Sequence, residues 1–118
     1  MKDFKIVFPS GYSIKDTNND NIDINVIFNN KQVFFATFFT VKNIITLMKK
    51  EKTDYFWADS MVIIESIEKK HLRNSIDSIL EEGSFESIFS KIGNIEDIYG
   101  SNINYKKIID FSNGFEIK

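Results

Sequence analysis

The sequence predicts one α+β domain: a mainly antiparallel sheet of about four to five strands, two to three helices packed against it, in the order β-β-β-α-β-α-α. Three observations carry that expectation. A chain of 118 residues fits a single core, which at that size removes roughly two-thirds of the unfolded surface from water. Apolar residues recur two apart through the first third of the chain and at helical spacing in several later stretches. The segment Gln32–Val41 is apolar on both faces of a strand, a pattern that belongs at the centre of a sheet or between a sheet and its covering layers.

Each element follows from local chemistry. Phe4 to Phe8 alternates loosely and stops at Pro9, Ser10 and Gly11, which reads as a strand, at an edge, followed by a turn. Lys15 to Asn21 is polar and reads as a loop. Ile22, Ile24, Val26 and Phe28 lie two apart with Asp23, Asn25 and Asn29 opposite, the mark of a strand buried on one face. Asn29-Asn30-Lys31 supplies a tight connection, because Asn tolerates positive φ. In the next strand Val33, Phe35, Phe39 and Val41 share one face and Phe34, Ala36 and Phe38 the other.

Thr40 is placed to cap a helix whose stripe is Val41, Ile44, Ile45 and Met48, with Lys49, Lys50 and Lys52 suited to the negative pole of its dipole. Met61–Ile64 is short and β-branched, hence a further central strand, entered through a bulge or turn at Asp59 and Ser60. A second helix follows Ser66, with Leu72, Ile76, Ile79 and Leu80 on one face and Gly83 closing it. Ser84 then caps a third with the stripe Phe85, Ile88, Phe89 and Ile92, closed by Gly93. Beyond Asn94 the pattern weakens, with a helical turn at Ile95–Tyr99 and a late strand at Tyr105–Phe111. Repeats, low-complexity segments and linkers are absent, so 1–118 reads as one domain.

Composition narrows the function classes. With 42% apolar and 27% charged residues the chain has the balance of a globular protein that folds alone. Without cysteine it has no disulfides or thiolate metal sites, which favours a reducing compartment. The first residues show no signal-peptide pattern, and no run approaches the ~18 apolar residues of a membrane span. A cytoplasmic protein that does not engage a membrane is expected. A net charge of −2 gives no global basic field, so nucleic acid is not expected as a direct partner. The abundance of Ile, Asn, Lys and Phe is explained by AT-rich codons and carries no function.

Catalytic patterns are missing. The single histidine, His71, sits on the flank of a helix stripe and reads as a solvated surface residue. One His and no Cys exclude zinc sites of the usual kind, and no Gly-x-Ser-x-Gly elbow supports a serine triad. Asp16 to Asp20 opens like a calcium loop but fails, with Asn21 at the turn-forming glycine position and Ile27 where a bidentate Glu is needed. Gly83, Gly93 and Gly100 are single terminators rather than a phosphate cradle. The expectation is therefore a non-enzyme without a cofactor or metal.

Two acidic groups remain: Asp54, Asp59, Glu65 and Glu68 around Trp57, and Glu81, Glu82 and Glu86 across Gly83. Solvated faces account for such groups by default. The functional alternative is an acidic surface that meets a basic protein, because complementary charge speeds encounter and fixes orientation. Tyr55 and Trp57 would anchor it.

At Ala36-Thr-Phe-Phe-Thr40, Asn43-Ile44 and Tyr55-Phe-Trp-Ala-Asp-Ser-Met-Val-Ile-Ile64 the chain resembles the small immunity proteins of bacterial polymorphic-toxin and contact-dependent growth-inhibition systems. The similarity runs over roughly Ile22 to Ile92. It implies a cytosolic inhibitor that binds the C-terminal domain of a delivered toxin, often a nuclease, by non-covalent contact. The candidate toxin-binding residues are Tyr55, Trp57, Asp59, Glu81, Glu82 and Glu86. The competing expectation, from the Phe-rich strand, is an accessory or scaffolding domain that binds a small ligand or associates through its sheet, so a monomer or weak homodimer. An enzyme using only carboxylates and Tyr is a third, minor alternative.

Overall fold

The computed structural model of the protein describes residues 3–114 and 116. Its elements are β1 (Phe4–Phe8), β2 (Asn21–Phe28), β3 (Gln32–Thr40), α1 (Val41–Glu51), β4 (Met61–Ile64), α2 (Lys69–Glu81), α3 (Phe85–Ile88), β5 (Ser90–Asn94), α4 (Ile95–Tyr99), a 3-10 turn (Tyr105–Lys107) and β6 (Ser112–Asn113). The fold is α+β, with a mixed sheet of six strands and four helices. Strands follow the order β4-β3-β2-β1-β6, and β5 pairs with β3 beside β4.

The first seven elements come in the expected order; the sheet differs from the expectation in hand and in extent. β1–β2, β2–β3 and β3–β5 are antiparallel, whereas β3–β4 and β1–β6 are parallel. The parallel pair has a simple cause: α1 and the loop after it carry the chain back along the sheet, so β4 enters in the direction of β3. β4 is also an outer strand rather than a central one, and Ile63 on it is exposed.

The helix expected over Phe85 to Ile92 stops at Ile88. Phe89 turns extended (φ −87°, ψ 142°), and the next residues pair with Gln32–Phe35 across a bulge. β4 covers only Thr37–Thr40 of that strand edge, so the first half of β3 would otherwise leave buried backbone groups unpaired. The need for a strand partner overrides a short helical stripe. In place of the late strand expected at Tyr105–Phe111 the chain forms the 3-10 turn and a single bridge residue, Ile108, and strand pairing with β1 is found at Ser112 and Asn113.

β3 lies inside the sheet, with its odd and even residues turned to different cores. Phe34, Ala36 and Phe38 join Ile22, Ile24, Val26 and Phe28 of β2 beneath Leu72 and Ile76 of α2 and Phe85 and Phe89. Val33 joins Val7, Ile27, Ile95, Tyr105 and Ile108 on the opposite face. At the far end of that face Phe39 is covered by Phe56, ring centroids 4.9 Å apart.

α1 departs from its expected packing. Thr40 caps it, accepting from the Asn43 N–H at 3.1 Å, and the Asn21 amide donates to the Asn43 side-chain carbonyl at 2.8 Å. Asn43 is the buried residue of this helix, while Val41 and Ile45 of the anticipated stripe are exposed. Polar contacts thus anchor the first turn of the helix, and Ile44, Leu47 and Met48 form a half-buried apolar face along the rest.

The edge of β1 is closed by the C-terminal segment. The Lys5 ammonium donates to the carbonyls of Tyr105 (2.9 Å) and Ile108 (2.7 Å), the Ile6 N–H donates to the Asp110 carboxylate (2.7 Å), and the Phe111 N–H donates to the Ile6 carbonyl (2.6 Å). Such cover removes a ladder of free backbone groups that could template aggregation.

Tyr105 in this segment carries a testable pH signature. Its hydroxyl is buried and finds no hydrogen-bond partner among the described residues. Burial, with added repulsion from Asp3 and Asp110 against the opposing pull of Arg73, pushes its pKa up to about 12 from the usual 10.0. A phenol that ionises later in the folded than in the unfolded chain adds stability below pH 10 and loses it as pH climbs toward 12. Tyr105→Phe should flatten that alkaline loss. At neutral pH it should match or exceed the wild type by about 1 kcal/mol, since an unpaired buried hydroxyl is removed. Urea titrations of both proteins from pH 8 to 12 check this; parallel curves would contradict it.

Candidate functional site

The α2–α3 joint holds a concavity that brings part of the acidic group around Gly83 together with buried rings. α2 ends in a Schellman motif: the Gly83 N–H donates to the Leu80 carbonyl (3.1 Å) and the Ser84 N–H to the Ile79 carbonyl (3.2 Å). Gly83 sits at φ +78°, where a Cβ would be strained although space around it is open. This reversal sets Glu81 and Glu86 around one cavity of about 480 Å³ whose other walls are Phe28, Phe34, Leu80 and Phe85.

The aromatic floor is rigidly built. Phe28, Phe34 and Phe85 meet edge to face in all three pairs, with centroids 5.0–5.6 Å apart, and Phe85 stacks on Phe89 at 4.2 Å. These geometries suit the ring quadrupoles, so the floor is locked by mutual packing. All three floor rings are at most 5% exposed, whereas Glu81 and Glu86 are exposed. Among the described residues no lysine or arginine lines the cavity. An apolar floor with two carboxylates at its mouth and no base to neutralise them suits a cationic side chain, whose stem packs on rings while its head meets the carboxylates.

The six residues expected from sequence fall in two places. Glu81 and Glu86 face the same cavity, and Glu82 is exposed beside them as the C-cap of α2. Tyr55, Trp57 and Asp59 lie on the loop that enters β4 and do not line the cavity. Tyr55 is 62% and Trp57 71% exposed, as interface anchors must be before binding. The loop packs through Phe56 on the face of β3 opposite the cavity, and the two groups approach each other only around the sheet edge where β4 and β5 meet: Ser60, next to Asp59, hydrogen-bonds through its hydroxyl to Ser90, four residues beyond Glu86. Ser60 also accepts from the Thr37 N–H (2.9 Å) and stands at φ 48°, which fixes the turn foreseen there.

Sequence reasoning placed Phe34 in the core alone. The structure gives it both roles, since it is buried and also walls the cavity. Phe28 and Phe85 were equally legible as core, but their convergence depends on the β2–β3 register, which pairs Val26 with Phe34, and on the Gly83 reversal. Phe56 escaped notice as the residue that pins the Tyr55–Trp57 loop onto Phe39.

Elsewhere the polar groups are sparse. His71 lies 3.5 Å from Glu68 with both side chains more than 40% exposed. Among the described residues no three His, Asp or Glu converge to hold a metal ion, and no helix is long and apolar enough to cross a membrane. Comparisons with protein-family models, with curated proteins and with solved structures return no match.

Proposed function

We propose that this chain is an immunity protein, a non-catalytic inhibitor that binds the C-terminal domain of a cognate bacterial toxin in the cytoplasm. The observation that carries the reading is the acid-mouthed aromatic cavity formed by Glu81, Glu86, Phe28, Phe34 and Phe85. A toxin domain that acts on nucleic acid is basic, and a surface lysine or arginine on it would enter this cavity. Tyr55 and Trp57, exposed on the loop that enters β4, would add a second contact where the partner reaches around the β4–β5 edge. The resemblance over Ile22 to Ile92 supports the same assignment.

The experiment is to co-express the chain with the variable C-terminal domain of the large secreted protein encoded upstream. Growth rescue and co-purification are expected. Glu81→Lys with Glu86→Lys should slow association about tenfold or more without altering the melting temperature, because charge on an interface rim acts chiefly on encounter. Absence of such a neighbour, or of any complex with it, overturns the reading. An unchanged association rate removes the cavity from the interface.

A further inference from the structure

A second surface feature stands apart from the acidic cavity. Among the described residues, three of the seven large apolar side chains left exposed, Val41 (55%), Ile45 (44%) and Ile63 (56%), line one groove of about 420 Å³. One wall is α1, anchored in its first turn, and the other is β4, beyond which the sheet has no further strand among the described residues. Lys42 stands on the α1 wall and Glu65 follows β4 on the other. Both are exposed, and neither has an ion-pair partner among the described residues.

Opposite charges on opposite walls of an apolar groove form a self-complementary pattern. A two-fold axis running along the groove would lay α1 of each copy on β4 of the other. Val41 and Ile45 would then cover Ile63 of the partner subunit, and Lys42 would face Glu65 of the partner subunit. Isologous contacts of this sort repeat every favourable pair twice. A basic partner would gain little here, because the groove offers one charge of each sign, whereas a second copy satisfies both. We propose that the α1–β4 groove is a self-association surface through which two copies of this chain form a weak two-fold dimer, independently of the Glu81–Glu86 cavity.

Sedimentation velocity over a concentration series tests it on the full chain. The wild type should show a reversible monomer–dimer equilibrium. Lys42→Glu and Glu65→Lys should each weaken dimerisation about tenfold or more, since like charges then face each other twice, and the double variant should recover to near the wild-type constant. Both sites are exposed, so circular dichroism should report the same fold in all four proteins. A wild type that remains monomeric at its solubility limit overturns the proposal. So does a double variant no better than the singles, or a dimer insensitive to all three. Capture of a different protein at Val41 and Ile63 by a chain that stays monomeric also overturns it.

Discussion

Phe38→Ala is expected to lower folding stability by about 3–5 kcal/mol, the range for a fully buried aromatic truncated without collapse of its site. The side chain has no exposed surface, sits opposite Ile22 on one neighbouring strand and Val62 on the other, and lies 6.0 Å from the Phe89 ring. Because β3 is paired on both edges at this point, its backbone cannot move to fill the void. Phe35 supplies the internal contrast. It is half-buried on the opposite face of the same strand, so Phe35→Ala should cost distinctly less. Urea denaturation of both variants at unchanged m-value measures the difference, and equal losses would contradict the sidedness assigned to the strand.

Arg73→Ala is the second large effect, at about 2–3 kcal/mol. One guanidinium nitrogen donates to the Phe4 carbonyl at 3.0 Å, another pairs with Asp110, and the plane lies 4.2 Å over the Phe4 ring and 5.6 Å from that of Phe111. The residue therefore joins α2, β1 and the C-terminal segment. Its ion pair is partly exposed and counts for little alone; the weight lies in the charged hydrogen bond to a partly buried carbonyl and in the ring contacts. Loss should also release the segment over β1. Hydrogen exchange should quicken at Ile6 and Phe111, whose amides bond across that seam. Full protection at both positions would show that the Lys5 bonds and the β1–β6 pairing hold the segment without Arg73.

Much of the fold was legible where a pattern had one physical solution. The two-faced run at Val33–Phe39, the Thr40 cap and the Gly83 stop each reflect local chemistry, and each appears as expected; β2, expected to be buried on one face, is instead buried on both from Ile24 to Phe28, because Ile27 enters the second core and Asn25 is covered beside it. What misled were patterns with two solutions. Phe85, Ile88, Phe89 and Ile92 satisfy a helical stripe, yet the open half of the β3 edge claimed Ser90–Asn94 as a strand. The order of strand, helix and strand from Gln32 to Ile64 already permitted a parallel crossover. Val41 and Ile45 had the spacing of a buried stripe, but anchoring at Asn43 leaves them in solvent. For the candidate site, the carboxylates flanking Gly83 were readable as a cluster. The Phe28–Phe34–Phe85 floor beneath them was not, because it is assembled from three elements whose meeting depends on strand register and the turn at Gly83.

Under the proposed function, the cavity at the α2–α3 joint receives a basic side chain of a toxin domain. Hydrogen exchange on the complex with the upstream-encoded domain tests it most directly, read at the amides of residues 79–89 and at the Tyr55–Ser60 loop. Protection gained there, and abolished by Glu81→Lys with Glu86→Lys, is the predicted result. Protection confined to α4 and the C-terminal segment, with residues 79–89 unchanged, would contradict it.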